Sequence, residues 1–219
     1  MLVKDIMTRH PIMIPAATPA PEAQRIMSEN GIRHLPVVGD GKRLEGLITR
    51  QSLKLDQETL ASLNVWEITR YLSNLPVKNV MVKAENVHTI RPEKTTERAA
   101  RMMIDHKIGC LPVVEDGDIV VGIISEIDLL IAFQQMLALP SEGVRITVRM
   151  PNKKGQFAKL VTVLGNHDIG VMGIGTYPTP RHEDFYDAVL KIRNVPLEKV
   201  KETFSQIEGW TIVDIRDVV

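Results

Sequence analysis

A single cysteine, Cys110, rules out an internal disulfide and any multi-cysteine zinc cage. Neither sign of charge is in excess. Lys plus Arg and Asp plus Glu are 27 each, and dividing the chain at residue 140 leaves 16 against 17 and then 11 against 10. No electrostatic footprint for nucleic acid, an anionic membrane or an acidic substrate follows from such a balance. Charge-free runs such as Leu129 to Ser141 fall short of the roughly 18 apolar residues that suggest a membrane span. Met1-Leu2-Val3-Lys4-Asp5 lacks the basic start and apolar stretch of a signal peptide. A cytoplasmic location is the resulting expectation. With 44% hydrophobic, 25% charged and 4% aromatic residues, the chain reads as globular, with length for two or three small domains.

Catalytic signatures are also scarce. His10, His34, His88, His106, His167 and His182 are scattered, with no pair at i and i+4 around a glutamate. There is no G-x-S-x-G elbow and no Walker loop. Gly173-Ile174-Gly175 is followed by Pro178 and Pro180, where a dinucleotide fingerprint needs a helix. Cys110 opens an apolar strand and is expected to be a buried, inert thiol. No catalytic residue and no metal site are expected.

What the chain does contain is a copy of itself. Leu35-Pro36-Val37-Val38 returns as Leu111-Pro112-Val113-Val114, and the same offset of 76 relates Ile32 to Ile108, Gly46 to Gly122, Thr49 to Ser125 and Leu53 to Leu129. Upstream, Val3-Lys4 and Met7 answer Val77-Lys78 and Met81 at an offset of 74. Two copies are too few for a solenoid, so a pseudo-symmetric pair packed face to face is expected. Each copy reads as strand, helix, hairpin, helix. In the first, Thr18 is placed to cap a helix with Pro19 at its first position and Ala23, Ile26 and Met27 as its stripe, and Gly31 stops it. In the second, Thr95 caps and Ala99, Met102 and Met103 form the stripe. The hairpins pair Leu35 to Val38 with Leu44 to Ile48, and Leu111 to Val114 with Ile119 to Ile124. Thr49 and Ser125 then start further helices. Between the copies, Leu60, Leu63, Trp66, Ile68, Tyr71, Leu72 and Leu75 suggest a connecting helix over 59–76 rather than a tether, since glycine is absent from 47 to 108.

After Pro140-Ser141-Glu142-Gly143 the pattern changes. Val144, Ile146, Val148 and Met150 alternate as a half-buried strand. Phe157, Leu160, Val161 and Leu164 predict one apolar helix face. Strands follow at Ile169 to Tyr177 and Phe185 to Ile192, then a helix with Leu197, Val200, Phe204 and Ile207 inward, then a last strand from Trp210 to Ile215. The order β-α-β-β-α-β is a ferredoxin-like plan, which by itself carries no function.

The doubled h-x-x-h-P-V, each followed by G-h-h-[ST] and then Ser125-x-x-Asp128 in the second copy, resembles a tandem pair of CBS domains, the Bateman module, over residues 1–58 and 77–137. Residues 143–219 resemble an ACT domain through Asn152, Gly155 and Ile169-Gly170-Val171. The whole arrangement is similar to the acetoin-utilisation AcuB family. The fold class expected is α+β. The resemblance implies a non-enzymatic allosteric regulator, a homodimer through its CBS or ACT domains, that acts on an unknown target protein. Its regulatory ligand would be an adenine nucleotide such as AMP or ATP, with S-adenosylmethionine or a ligand-free, partner-binding subunit as alternatives.

Candidate contacts follow. Ser125-Glu126-Ile127-Asp128 reads as a capping box. The same geometry offers helix amides and a hydroxyl to a phosphate and a carboxylate to the two ribose hydroxyls. The first copy has Thr49-Arg50-Gln51-Ser52 there, so one better and one degenerate site are expected. His88, Thr89 and Ile90 with Ile108, Gly109, Cys110, Leu111 and Pro112 would line an adenine slot, or simply pack the core. Arg33, with His34 beside it, would face the phosphate, or else make a surface salt bridge. In the tail, Asn152, Gly155, Gln156, Phe157, Ile169, Gly170 and Val171 are the effector candidates, for an amino acid or small metabolite.

Overall fold

A computed structural model describes residues 1–53, 75–139 and 141–218. The connecting segment expected at 59–76 lies almost wholly outside them. Two compact units are present, Met1–Leu129 and Leu130–Val219.

The first unit opens with a one-turn helix α1 (Val3–Ile6) and a short strand β1 (Thr8–Arg9). Helix α2 (Ala20–Glu29) leads to the hairpin β2 (His34–Val38) and β3 (Leu44–Thr49). The second copy gives β4 (Val82–Lys83), α3 (Thr96–His106), the hairpin β5 (Cys110–Glu115) and β6 (Ile119–Ser125), and α4 (Glu126–Met136). The expected hairpins form in equivalent register, His34 opposite Thr49 and Cys110 opposite Ser125. Apolar alternation fills two matching cores.

The leading segments are exchanged between the copies. β1 adds to β6 of the second hairpin, and β4 adds to β3 of the first, giving the sheet orders β1-β6-β5 and β2-β3-β4. Backbone bonds repeat the exchange symmetrically: Val3 N–H donates to Lys94 C=O at 2.8 Å, and Val77 N–H to Thr18 C=O at 2.8 Å. Gly46 and Gly122 explain their own place in the repeat. A Cβ on Gly46 would lie 2.5 Å from Met81 Sδ and 2.6 Å from Val82 O, and one on Gly122 2.5 Å from Met7 Sδ and 3.1 Å from Thr8 O. Only a hydrogen leaves room for the exchanged strand. A smaller cluster of Leu44, Val114 and Val120 joins the two hairpins.

One expected cap is corrected. Thr95 does cap α3, its hydroxyl accepting from Arg98 N–H at 3.2 Å. Thr18 does not cap α2, because Pro19 takes the cap position in extended conformation and makes no side-chain cap bond.

The second unit follows the β-α-β-β-α-β plan: β7 (Gly143–Pro151), α5 (Gln156–Asn166), β8 (Val171–Pro178), β9 (Phe185–Ile192), α6 (Leu197–Ser205) and β10 (Thr211–Val218). The antiparallel sheet runs β10-β7-β9-β8. Val144, Ile146, Val148, Met150, Leu190 and Ile192 bury against Leu160, Leu164, Val200 and Phe204. The α5 face is rotated from the expected one. Leu160 and Leu164 are buried, but Phe157 and Val161 are each 52% exposed. Gly173 and Gly175 have a packing reason: a Cβ on Gly173 would lie 2.6 Å from the Leu137 carbonyl carbon, and one on Gly175 3.0 Å from Leu137 Cδ2.

Candidate ligand cleft

β6 delivers Ser125 to the start of α4, where a reciprocal cap fixes the turn. Asp128 Oδ2 accepts from Ser125 N–H at 2.7 Å and from Ser125 Oγ–H at 2.7 Å, and Asp128 N–H points at Ser125 Oγ, 3.4 Å away. Asp128 Oδ1 takes no hydrogen bond among the described residues. The capping box and an unused acceptor oxygen therefore coexist on one carboxylate. In the first copy Thr49 and Ser52 make the same reciprocal cap, at 2.9 and 3.1 Å, with a hydroxyl in place of the carboxylate.

In front of Asp128 lies a cavity of about 490 Å³, within the usual range for small-ligand sites of about 300–1,000 Å³. The second copy contributes Gly109, Ile123, Ser125, Glu126, Ile127 and Asp128 to its wall. From the first copy come Arg33 and His34 at the entry to β2, and residues 8 and 10–12 of the exchanged segment. Ile12 and Ile127 on its wall are 41% and 50% exposed.

Gly109 sits where the copies meet. A Cβ there would be 3.4 Å from Glu126 Oε2 and 3.5 Å from the His34 ring. Burial holds His34 below the ordinary imidazole range and Arg33 adds to this, against the pull of Glu126. The balance favours the neutral imidazole. Arg33 and Glu126 are both exposed and form no ion pair among the described residues.

Of the residues expected from sequence, Arg33, His34, Gly109, Ser125 and Asp128 share this cavity. Thr49, His88, Thr89, Ile90, Ile108, Cys110, Leu111 and Pro112 do not line it. Ile90, Cys110 and Leu111 are core residues, and burial, with Glu126 nearby, pushes the Cys110 thiol up to about 12. His88 stacks on His106, ring centroids 3.7 Å apart. The exchange is the reason: residues 8–12, not 88–90, reach Asp128. Pro11 and Ile12 carry no motif, and their one signal is an apolar residue outside any helical or strand periodicity.

In the second unit, Asn152, Gln156 and Phe157 line a hollow of about 190 Å³ with Met150, Lys153, Thr176 and Tyr186. Gly155 caps α5 with φ +87°, while Ile169 is buried in the core and Gly170 and Val171 do not line the hollow. The Asn152 side-chain amide, Nδ2–H, donates to Glu183 C=O at 3.4 Å, and Gln156 Oε1 accepts from Trp210 Nε1–H at 2.7 Å. Both side chains thus also hold structure. Among the described residues, no group of three His, Cys, Asp or Glu side chains could hold a metal ion, and no helix is long and apolar enough to cross a membrane.

Two symmetric hairpins, exchanged leading strands and a cleft between the copies define a paired-module protein. The CBS domain family matches residues 3–55 and 77–135, and the chain belongs to that family. A putative acetoin utilization protein (AcuB) from Vibrio cholerae is similar, with a TM-score of 0.52 and 32% identity over 64% of this chain and 95% of that one. The CBS domain pair of protein MJ0100, in complex with 5′-methylthioadenosine and S-adenosyl-L-methionine, gives a TM-score of 0.50 and 28% identity over 61% and 95%. Homoserine O-acetyltransferase of Methanosalsum zhilinae is 31% identical over 122 residues, 56% of this chain. The match spans only 22% of that relative.

Proposed function

We propose that the chain is a non-enzymatic regulator whose CBS pair receives an adenosine-containing ligand in the cleft before Asp128. The carrying observation is the divided carboxylate: Oδ2 is committed to the α4 cap, and Oδ1 remains for the vicinal ribose hydroxyls. The base would lie against Ile12 and Ile127, and Arg33 would stand on the 5′ side. An adenine nucleotide such as AMP or ATP and S-adenosylmethionine share this adenosine core, and the ligands held by the MJ0100 pair support it. Micromolar affinity requires about 8 kcal/mol, which two or three charge-assisted hydrogen bonds of roughly 1.5–3 kcal/mol each and a covered base supply. Likeness to the Vibrio cholerae protein supports a role in acetoin or related carbon metabolism. The second unit is read as an ACT-like module for a small metabolite or for dimerisation. Acetyl transfer is not carried over, since so little of that relative is matched.

Calorimetric titration of the full chain with AMP, ATP and S-adenosylmethionine tests the reading. Saturable binding of at least one at micromolar concentration is expected. Heat and thermal-shift silence for all three would leave a ligand-free, partner-binding subunit.

A further inference from the structure

Arg33 and Glu126 line the same cavity as Asp128, are of opposite charge type, and are paired neither with each other nor with another described residue. At the position equivalent to Glu126 the first copy carries Arg50, and at that of Asp128 it carries Ser52. The acidic wall thus belongs to this cleft and is not imposed by the fold. Besides the imidazoles of His10 and His34, the ionisable side chains lining the cavity are one guanidinium and two carboxylates. One carboxylate, Asp128, is taken by the cap and the sugar.

We infer that Glu126 and Arg33 together determine specificity at the 5′ end, selecting an adenosine that carries a zwitterionic amino-acid tail over one that carries a polyphosphate. The inference rests on the adenosine reading above. An α-ammonium would meet the Glu126 carboxylate and an α-carboxylate the Arg33 guanidinium, so both unpaired charges gain a charge-assisted partner. A triphosphate gains only Arg33 and places several negative charges near Glu126 and Asp128. Like charges held together in a partly closed cleft are disfavoured far more than in open water.

The test is calorimetry on the full chain with five probes: S-adenosylmethionine, S-adenosylhomocysteine, 5′-methylthioadenosine, AMP and ATP. The two amino-acid-tailed probes are expected to bind about tenfold or more tighter than 5′-methylthioadenosine, in line with one net charge-assisted hydrogen bond. ATP is expected to be the weakest. Glu126→Gln and Arg33→Gln should each narrow the gap between the tailed probes and 5′-methylthioadenosine by about tenfold, the tailed probes losing far more affinity than 5′-methylthioadenosine does. Saturable binding of that neutral probe to each variant reports that the cleft is kept. Glu126→Gln should in addition tighten ATP. If 5′-methylthioadenosine binds but the tailed probes are no tighter, or Glu126→Gln leaves the ratio of tailed probe to ATP unmoved, this inference is overturned and the adenosine reading stands. If none of the five binds, the adenosine reading itself is lost.

Discussion

Val3 is buried in the core built on the second hairpin, and Val77 is buried in the core built on the first. Each copy is completed by the opening residues of the other, so the two halves form one cooperative body in which neither core is whole without its neighbour's segment.

The tightest point of that exchange is the glycine under each added strand. Gly46→Ala and Gly122→Ala are expected to destabilise the CBS pair by about 1–3 kcal/mol, the range for overpacking a filled core. Gly46→Ala should be the worse, because the Val82 carbonyl at 2.6 Å is backbone and cannot swing away as Met81 can. Denaturant unfolding of the two variants checks the order, and wild-type stability in Gly46→Ala would mean that the added strand does not sit there.

The same test extends to the second unit. Gly173→Ala would push against the backbone of Leu137 and Ala138, at 2.6 to 3.0 Å, and a loss of about 1–3 kcal/mol is expected on the same grounds. Gly170→Ala, which meets nothing within 4 Å, should be tolerated and serves as its control.

Asp187 is almost fully buried and is held by Arg149 at 2.9 and 3.1 Å and by the Thr179 hydroxyl at 2.8 Å. The Arg149 hydrogen bonds, helped by Thr179, hold its carboxyl below the ordinary carboxylate range against the cost of burial. Because the folded-state pKa is depressed, the unfolded chain binds the proton first as pH falls. The stabilisation is therefore whole above the unfolded carboxylate range near pH 4 and fades as pH drops through the folded value. Arg149→Met should lower the melting temperature at pH 7 and flatten the acid limb of stability against pH. An unchanged acid limb would assign that limb to other groups.

Cys110 supplies a chemical check. With its thiol pushed up to about 12 by burial, it should resist thiol-specific labelling in the native protein at pH 8 and react fully in denaturant. Rapid native labelling would place the β5 edge in solvent.

Self-similarity made much of this fold legible. The offset of 76 places both hairpins in equivalent register, and the period-2 pattern of Val144 to Met150 marks the buried face of β7. Strand exchange was not legible, because the pattern of residues 3–9 is the same whichever hairpin they join. Because of that one ambiguity His88, Thr89 and Ile90 are expected beside Asp128, where residues 8 and 10–12 line the cavity instead. The α5 stripe failed for a different reason. Its apolar residues span more of the helix than the sheet covers, so packing buries Leu160 and Leu164 and leaves Phe157 and Val161 outside. Arg33, Gly109, Ser125 and Asp128 come together in one cavity because the repeat places them at the entry to β5 or its counterpart β2 and at the start of α4.

The substitution Asp128→Asn separates the two duties of the carboxylate. Asparagine keeps a carbonyl oxygen to accept from Ser125, so stability should stay within about 1 kcal/mol of wild type, at the low end of cap losses. Its amide nitrogen replaces the unused acceptor oxygen for the ribose. Calorimetry with 5′-methylthioadenosine on this variant is the most direct measurement, and a loss of at least tenfold in affinity with the melting temperature preserved is expected. Undiminished binding in a stably folded Asp128→Asn protein would contradict the ribose assignment at its root.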